Sequence, residues 1–149
     1  MEKTRILPPA YVLVALLLMI GLGFAAPLYV FTWSPWRLLG LMPLIAGVVL
    51  DLVADHQFHQ ARTTVKPFQH STSLVTDGAF VLSRNPMYLG FLLVLVGLAI
   101  LMAALSPLAV VVAFVVLIEH NFIRPEERML AEQFGMDYKL YAARTPRWI

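Results

Sequence analysis

Three groups of residues in this 149-residue chain have types and spacings that could do chemistry. Asp51, Asp55 and His59 recur at i, i+4 and i+8, one face of a helix if a helix runs that far. Oxygen and imidazole ligands so spaced could bind a metal. Without partners from a second helix they read more simply as polar residues where a span surfaces into water, and no metal site is assigned. Asp51 stands apart, since acids near a membrane rarely face lipid. Glu119 and His120 interrupt an apolar run, and Glu126 follows Glu119 by seven residues, with Pro125 able to bend the path between them. Acids there mark a cavity or an ion path, or else a paired interfacial residue; Glu126 and Glu127 also suit the first turn of a helix, where the dipole favours carboxylates. The third group is Arg84, Asn85, Pro86, Met87 and Tyr88. Arg84 offers a planar fork of five donors suited to carboxylate or phosphate, or else anchors a span by the positive-inside rule. Asn85 adds donor and acceptor groups, Pro86 fits a first helical turn, and Tyr88 lies one turn below Arg84.

Elements must hold these groups in place, and composition says what kind. Hydrophobic residues make up 60% and charged residues 13%, against about 25% charged in a soluble domain; mean hydropathy is +0.77. These values exclude a disordered chain, a nucleic-acid binder and an ordinary cytosolic enzyme. The absence of cysteine removes disulfides, thiolate metal sites and a cysteine nucleophile. Ile6–Trp36 is free of Asp, Glu, Lys and Arg for 31 residues, and Asn85–Ile118 for 34. A bilayer core takes about 20 apolar residues per helix. The first stretch therefore holds one span, 9–31, and a second span covers 36–54, with Trp33 and Trp36 at headgroup level. The longer stretch turns at Ser106-Pro107, which makes spans of 87–105 and 108–123. A signal peptide competes for the first span, because Gly23-Phe24-Ala25 resembles a cleavage site, but the apolar run outlasts a signal core.

The expectation is an all-α integral membrane protein of about four transmembrane helices in a single domain, 1–149. A loop over 55–86 and a C-terminal amphipathic helix over 125–143 complete it. Ten basic residues fall on one side of these spans (Lys3, Arg5, Arg62, Lys66, Arg84, Arg124, Arg128, Lys139, Arg144 and Arg147) and only Arg37 on the other. The positive-inside rule makes the chain multi-pass with both termini and the long loop cytoplasmic. The loop is polar, with His56, His59, Lys66, Pro67, His70, Asp77 and Gly78. It is too long for a mere connection between packed helices. In the C-terminal helix Pro125 opens the first turn, Leu130, Phe134, Tyr138 and Tyr141 form one apolar stripe, and Gly135 weakens it locally.

Leu74-Val75-Thr76-Asp77-Gly78, Ser83-Arg84-Asn85-Pro86-Met87-Tyr88-Leu89-Gly90, Glu126-Glu127 with Leu130, Phe134-Gly135, Tyr138 and Tyr141, and Arg144 with Pro146-Arg147-Trp148 occur in this order. The pattern resembles the isoprenylcysteine carboxyl methyltransferases and their relatives, the membrane phospholipid methyltransferases, from about Thr63 to Ile149. The resemblance implies a cytosol-facing site for S-adenosyl-L-methionine, closed by the loop and the C-terminal helix around the last helical hairpin. Leu74, Val75, Phe80, Asn85, Pro86, Met87, Tyr88 and Glu126 would bind the cofactor. Phe80 stands where the family usually has tyrosine, Asn85 where many members have histidine, and Val81 replaces a frequent arginine. The family's substrate-contacting arginine upstream of the acid pair has no aligned counterpart, Arg124 being two positions off.

Methyl transfer from a sulfonium needs alignment and exclusion of water more than covalent help. Arg84 and Glu127 are the candidate catalytic residues, Arg84 to orient an anionic substrate and Glu127 as a second polar contact. The acceptor would be a hydrophobic, bilayer-resident molecule, an isoprenylcysteine carboxylate or a lipid, reaching the site laterally while the cofactor comes from the cytosol. Two other functions compete. One is a steroid-reductase-type membrane enzyme using NADPH, against which the Glu126-Glu127 and Phe134-Gly135 pairs speak. The other is a four-helix transporter or scaffold, which should carry an acid near mid-span, and the first span has none.

Overall fold

The structure, a computed structural model, describes residues 7–28, 35–61 and 73–149. Of the residues singled out above, Lys3, Arg5, Trp33, Arg62, Thr63, Lys66, Pro67 and His70 lie outside these. Among the described residues six helices run α1 Pro8–Ala25, α2 Leu41–Gln60, α3 Ala79–Leu82, α4 Pro86–Met102, α5 Ser106–Ile118 and α6 Arg124–Arg144. A 3₁₀ turn, Pro35–Gly40, leads into α2, and a π-helical turn, Glu119–Ile123, joins α5 to α6. The chain is all-helical among the described residues.

Proline punctuates the architecture. Pro8, Pro86, Pro107 and Pro125 each sit in the first turn of a helix, where the missing N–H is no loss and φ is already helical. Pro125 does so without ending the helix, because α5, the π turn and the first part of α6 follow one another directly as far as Gly135, where the backbone leaves helical geometry at φ 55° and α6 kinks. A proline ring clashes with the carbonyl four residues earlier. The wider π turn immediately before Pro125 moves that carbonyl away, so the chain bends without breaking. The helical hairpin expected to end at 123 thus flows directly into the C-terminal helix.

Other boundaries differ from the expected ones for local reasons. Helix α2 runs to Gln60, six residues into the expected loop, and α3 adds a further turn there. Gln57 explains the continuation: its side-chain Oε1 accepts from the Ala79 N–H at 2.9 Å and its Nε2 donates to the Asp77 carbonyl at 3.4 Å, so the end of α2 holds the start of α3. Gly78 lies at φ 55°, and the Gln57 amide occupies the space a Cβ would need there. At the other end of the hairpin α4 stops at Met102, before the expected 105, because Ala103 turns left-handed at φ 51°. The Leu105 N–H then donates to the Leu28 carbonyl at 3.0 Å, tying this turn to the end of α1.

Helix α4 is the central element. It lies antiparallel to α2 along a glycine seam: Gly47 meets Gly90 and Gly40 meets Gly97. A Cβ on Gly47 would stand 2.5 Å from the Gly90 carbonyl oxygen, and one on Gly97 2.6 Å from the Gly40 carbonyl. Small residues let helix backbones approach this closely, which is how helices associate where lipid removes the hydrophobic driving force. On the other side α4 packs with α5 and α1 around Met19, Leu95, Phe114, Ile118 and Ile123, all buried. The outward faces are as apolar as the core: Leu13, Leu17, Met42, Ile45, Leu52, Val112 and Val116 are exposed. A helix apolar all round requires an apolar solvent. Three helical segments, Pro8–Ala25, Pro35–Gln60 and Ser106–Arg144, are long and apolar enough to cross a membrane, and Pro86–Met102 is a shorter apolar helix. The chain is an integral membrane protein.

Candidate active site

Ser83, Arg84 and Asn85 form the hinge between α3 and α4, and their backbone is irregular, so its polar groups need partners. The Arg84 N–H donates to the Pro146 carbonyl at 2.9 Å. Ser83 Oγ and Asn85 Nδ2 both donate to the Arg147 carbonyl, at 3.0 and 3.1 Å. The Asn85 N–H donates to Ser83 Oγ at 3.1 Å, and Ser83 is fully buried. The Pro146–Arg147 backbone therefore lies against the hinge and holds it.

Arg84 projects onto α6. Its Nη1 stands 3.1 Å from Glu127 Oε1 and donates to the Tyr138 hydroxyl at 3.3 Å. Both charged side chains are largely covered, with 15% and 12% of their surface exposed, which makes the pair far less screened than a surface bridge. The Arg84 Nε is buried and has no hydrogen-bond partner among the described residues. One helical turn on, the Tyr88 hydroxyl donates to Glu126 Oε1 at 3.0 Å. The two adjacent acids thus have different partners, Glu127 the arginines and Glu126 a phenol.

Two apolar clusters flank this polar belt. Phe80 is buried with Ala54, Tyr138 and Tyr141, and Leu74, Val75, Met87 and Phe134 pack against them. Phe58 meets Phe80 edge-on at 5.0 Å, and the Tyr141 hydroxyl donates to the Phe80 carbonyl at 2.7 Å. Tyr88 belongs to the other cluster, beside Phe122 at 6.2 Å, which Tyr11 meets edge-on at 5.2 Å. The candidate cofactor residues therefore fall into two sets. Leu74, Val75, Phe80 and Met87 share one cluster, Tyr88 and Glu126 lie by the other, and Arg84, Asn85 and the fully buried Pro86 stand between them.

The remaining acids sort differently. Asp51 is turned inward at the α2–α4 seam, where its carboxylate fills the space a Cβ on Gly90 would need. Asp55 stays with His59, whose Nδ1 is 2.9 Å from the Asp55 carbonyl and 3.4 Å from Asp55 Oδ2. Among the described residues no three His, Asp or Glu side chains converge as a metal would require. Glu119, read from sequence as marking a cavity or ion path or else as a paired interfacial residue, is paired: its Oε1 accepts from Arg124 Nη2 at 2.9 Å and Arg147 Nη1 at 3.1 Å. Arg147 also reaches Glu127, with Nη2 2.7 Å from Oε2. Its part in the site was missed as residue chemistry, since it is 20 positions from Glu127 and 28 from Glu119, outside any helical spacing. Only its place in the family pattern pointed there.

The phospholipid methyltransferase family model matches residues 36–137, about two thirds of the chain. Protein-S-isoprenylcysteine O-methyltransferase B of Arabidopsis thaliana is 37% identical over 114 residues, which cover 72% of this chain and 55% of that protein. The cobalt-zinc-cadmium resistance protein CzcN of Cupriavidus metallidurans is 37% identical over 76 residues, 51% of this chain and 35% of its own length. The chain thus spans between a third and just over half of the curated relatives it matches. The matched region carries α2, the Ser83–Asn85 hinge, α4 and the acid pair, and on that ground the chain belongs to the phospholipid methyltransferase family.

Proposed function

We propose that the chain is an S-adenosyl-L-methionine-dependent methyltransferase acting on a hydrophobic acceptor that resides in the bilayer, an isoprenylcysteine-type carboxylate or a lipid. The observation that carries this reading is the placing of a cation and an acid one helical turn apart along α4. Arg84 holds a buried Nε without an acceptor among the described residues, and Glu126 is held at Tyr88, its Oε1 accepting from the hydroxyl at 3.0 Å. A ligand with one anionic and one cationic group answers both, and the amino-acid end of the cofactor has that charge pattern. Leu74, Val75, Phe80 and Met87 supply apolar surface for the rest of it, with Asn85, Pro86 and Tyr88 shaping the hinge side.

When bound, the cofactor supplies an electrophilic methyl group on a sulfonium. The chain's own work is alignment and removal of water, which together are worth at most about 7–11 kcal/mol of a barrier. Arg84 orients an anionic group, Glu127 fixes the Arg84 guanidinium, and Glu126 fixes the Tyr88 hydroxyl. A carboxylate acceptor needs no base, whereas an amine must lose a proton. The basic-residue count supports a cytoplasmic placement of both termini and of this site, and one domain carries all of it.

Calorimetric binding of S-adenosylhomocysteine to the detergent-purified protein tests the reading, with NADPH as the parallel ligand and Glu126→Ala as control. Micromolar affinity for the first, lost in the variant, is the expected result. Binding of NADPH in its place would move the chain to the reductases, and silence from both would leave a non-enzymatic membrane protein.

A further inference from the structure

Glu127 is shared unequally between two arginines. Arg147 takes both of its oxygens: Nη2 donates to Oε2 at 2.7 Å, and Nε lies 3.0 Å from Oε1 and 3.2 Å from Oε2. Arg84 reaches Oε1 alone, through Nη1 at 3.1 Å. A guanidinium facing a carboxylate prefers the two-bond fork, so the carboxylate that would otherwise saturate Arg84 is already engaged by Arg147. The Glu127 hydrogen bonds in turn hold the Arg147 guanidinium above its ordinary value, so it is charged at any working pH. In the ion-pair network Arg84, Arg124 and Arg147 share two carboxylates, Glu119 and Glu127, and Arg84 is the arginine with a buried donor unmet among the described residues.

We propose that Arg147 is a positioning residue, which by forking onto Glu127 keeps the Arg84 guanidinium open for the carboxylate-type anion of a ligand. The inference rests on the proposed function and adds to it the element that sets the site's charge. The segment that carries Arg147 is itself fastened to the hinge through the Pro146 and Arg147 carbonyls, so the guanidinium is delivered by a strap anchored at the residues it serves. Remove Arg147, and Glu127 turns its free oxygen to Arg84 and closes the fork there. The anion then has to compete with a built-in carboxylate.

The experiment is affinity for S-adenosylhomocysteine by calorimetry in wild type, Arg147→Ala, Arg147→Lys, Glu127→Gln and the Arg147→Ala/Glu127→Gln double variant. Arg147→Ala is expected to weaken binding at least tenfold and Arg147→Lys, which keeps the charge without the fork, by less. Glu127→Gln added to Arg147→Ala should restore affinity to within about threefold of Glu127→Gln alone, because the competing carboxylate is gone; thermal unfolding of the same variants separates this from relief of an uncompensated buried charge, which would move the midpoint in parallel with affinity. Decarboxylated S-adenosylhomocysteine, and N-acetyl-S-farnesylcysteine against its methyl ester, identify which carboxylate Arg84 receives: the Arg147→Ala penalty should fall on the acid of one pair and spare its neutral counterpart. No rescue by Glu127→Gln, or equal losses for acid and neutral ligands in both pairs, would overturn the proposal while leaving the methyltransferase reading intact. Absence of wild-type binding to S-adenosylhomocysteine would overturn both. Should Arg147→Ala fail to fold, the Arg147→Lys and double variants carry the same comparison.

Discussion

The two ends of α4 are built from opposite materials. At its N-terminal end the hinge Ser83–Asn85, the acids Glu126 and Glu127 and the strap around Arg147 form a belt of directed hydrogen bonds. At its C-terminal end the chain turns through Ala103 beside a cavity of about 320 Å³ lined by Trp36, Arg37, Ile100, Ala103, Leu105 and Leu108. The second end encloses its space mainly with apolar side chains, the first with paired charges and hydroxyls. Apolar walls can enclose a ligand, but they cannot align one, because van der Waals contact is non-directional whereas charge-assisted hydrogen bonds fix geometry. The apolar cavity at one end therefore says less about function than the polar belt at the other.

The largest expected effect tests that contrast directly. Arg84→Ala removes the open guanidinium, and a hydrogen bond to a charged group is worth about 1.5–3 kcal/mol, so affinity for S-adenosylhomocysteine should fall by roughly ten- to a hundredfold. Calorimetry reads it, and an unchanged affinity would move the site away from the hinge. Next comes the seam that fixes the hinge relative to α2. Gly90→Ala drives a methyl group into the Asp51 carboxylate and the Gly47 carbonyl, and overpacking costs about 1–3 kcal/mol. Thermal unfolding in detergent should show the loss, and an unaltered midpoint would mean that the two helices are not held this closely.

Smallest of all is Trp36→Ala at the opposite end, where the ring is 73% exposed. It should leave S-adenosylhomocysteine affinity within about twofold, and a larger change would show that the two ends are coupled.

Much of this architecture needed no tertiary structure to be read. Long runs without charge become membrane helices because a bilayer cannot solvate charges or unpaired backbone, and that demand acts on each segment alone. The motif from Ser83 to Gly90 and the acid pair were likewise visible, since each is contiguous. What escaped were features set by packing between distant segments. The continuation of α2 to Gln60 depends on the Gln57 amide meeting Ala79 and Asp77. Glu119 was readable as an acid in an apolar run, but not as the partner of two arginines.

By itself the sequence determined that the chain is helical, membrane-embedded and polar at particular places, because solvation and backbone hydrogen bonding are local requirements. Tertiary structure alone decided which charge meets which. Arg84 and Arg147 are the same residue type, yet one ends as the fork on Glu127 and the other keeps a buried Nε without an acceptor among the described residues. That division follows from bringing Ser83 within 3.0 Å of a carbonyl 64 residues away, a closeness set by the packing of α4, α6 and the strap together and by no spacing along the chain.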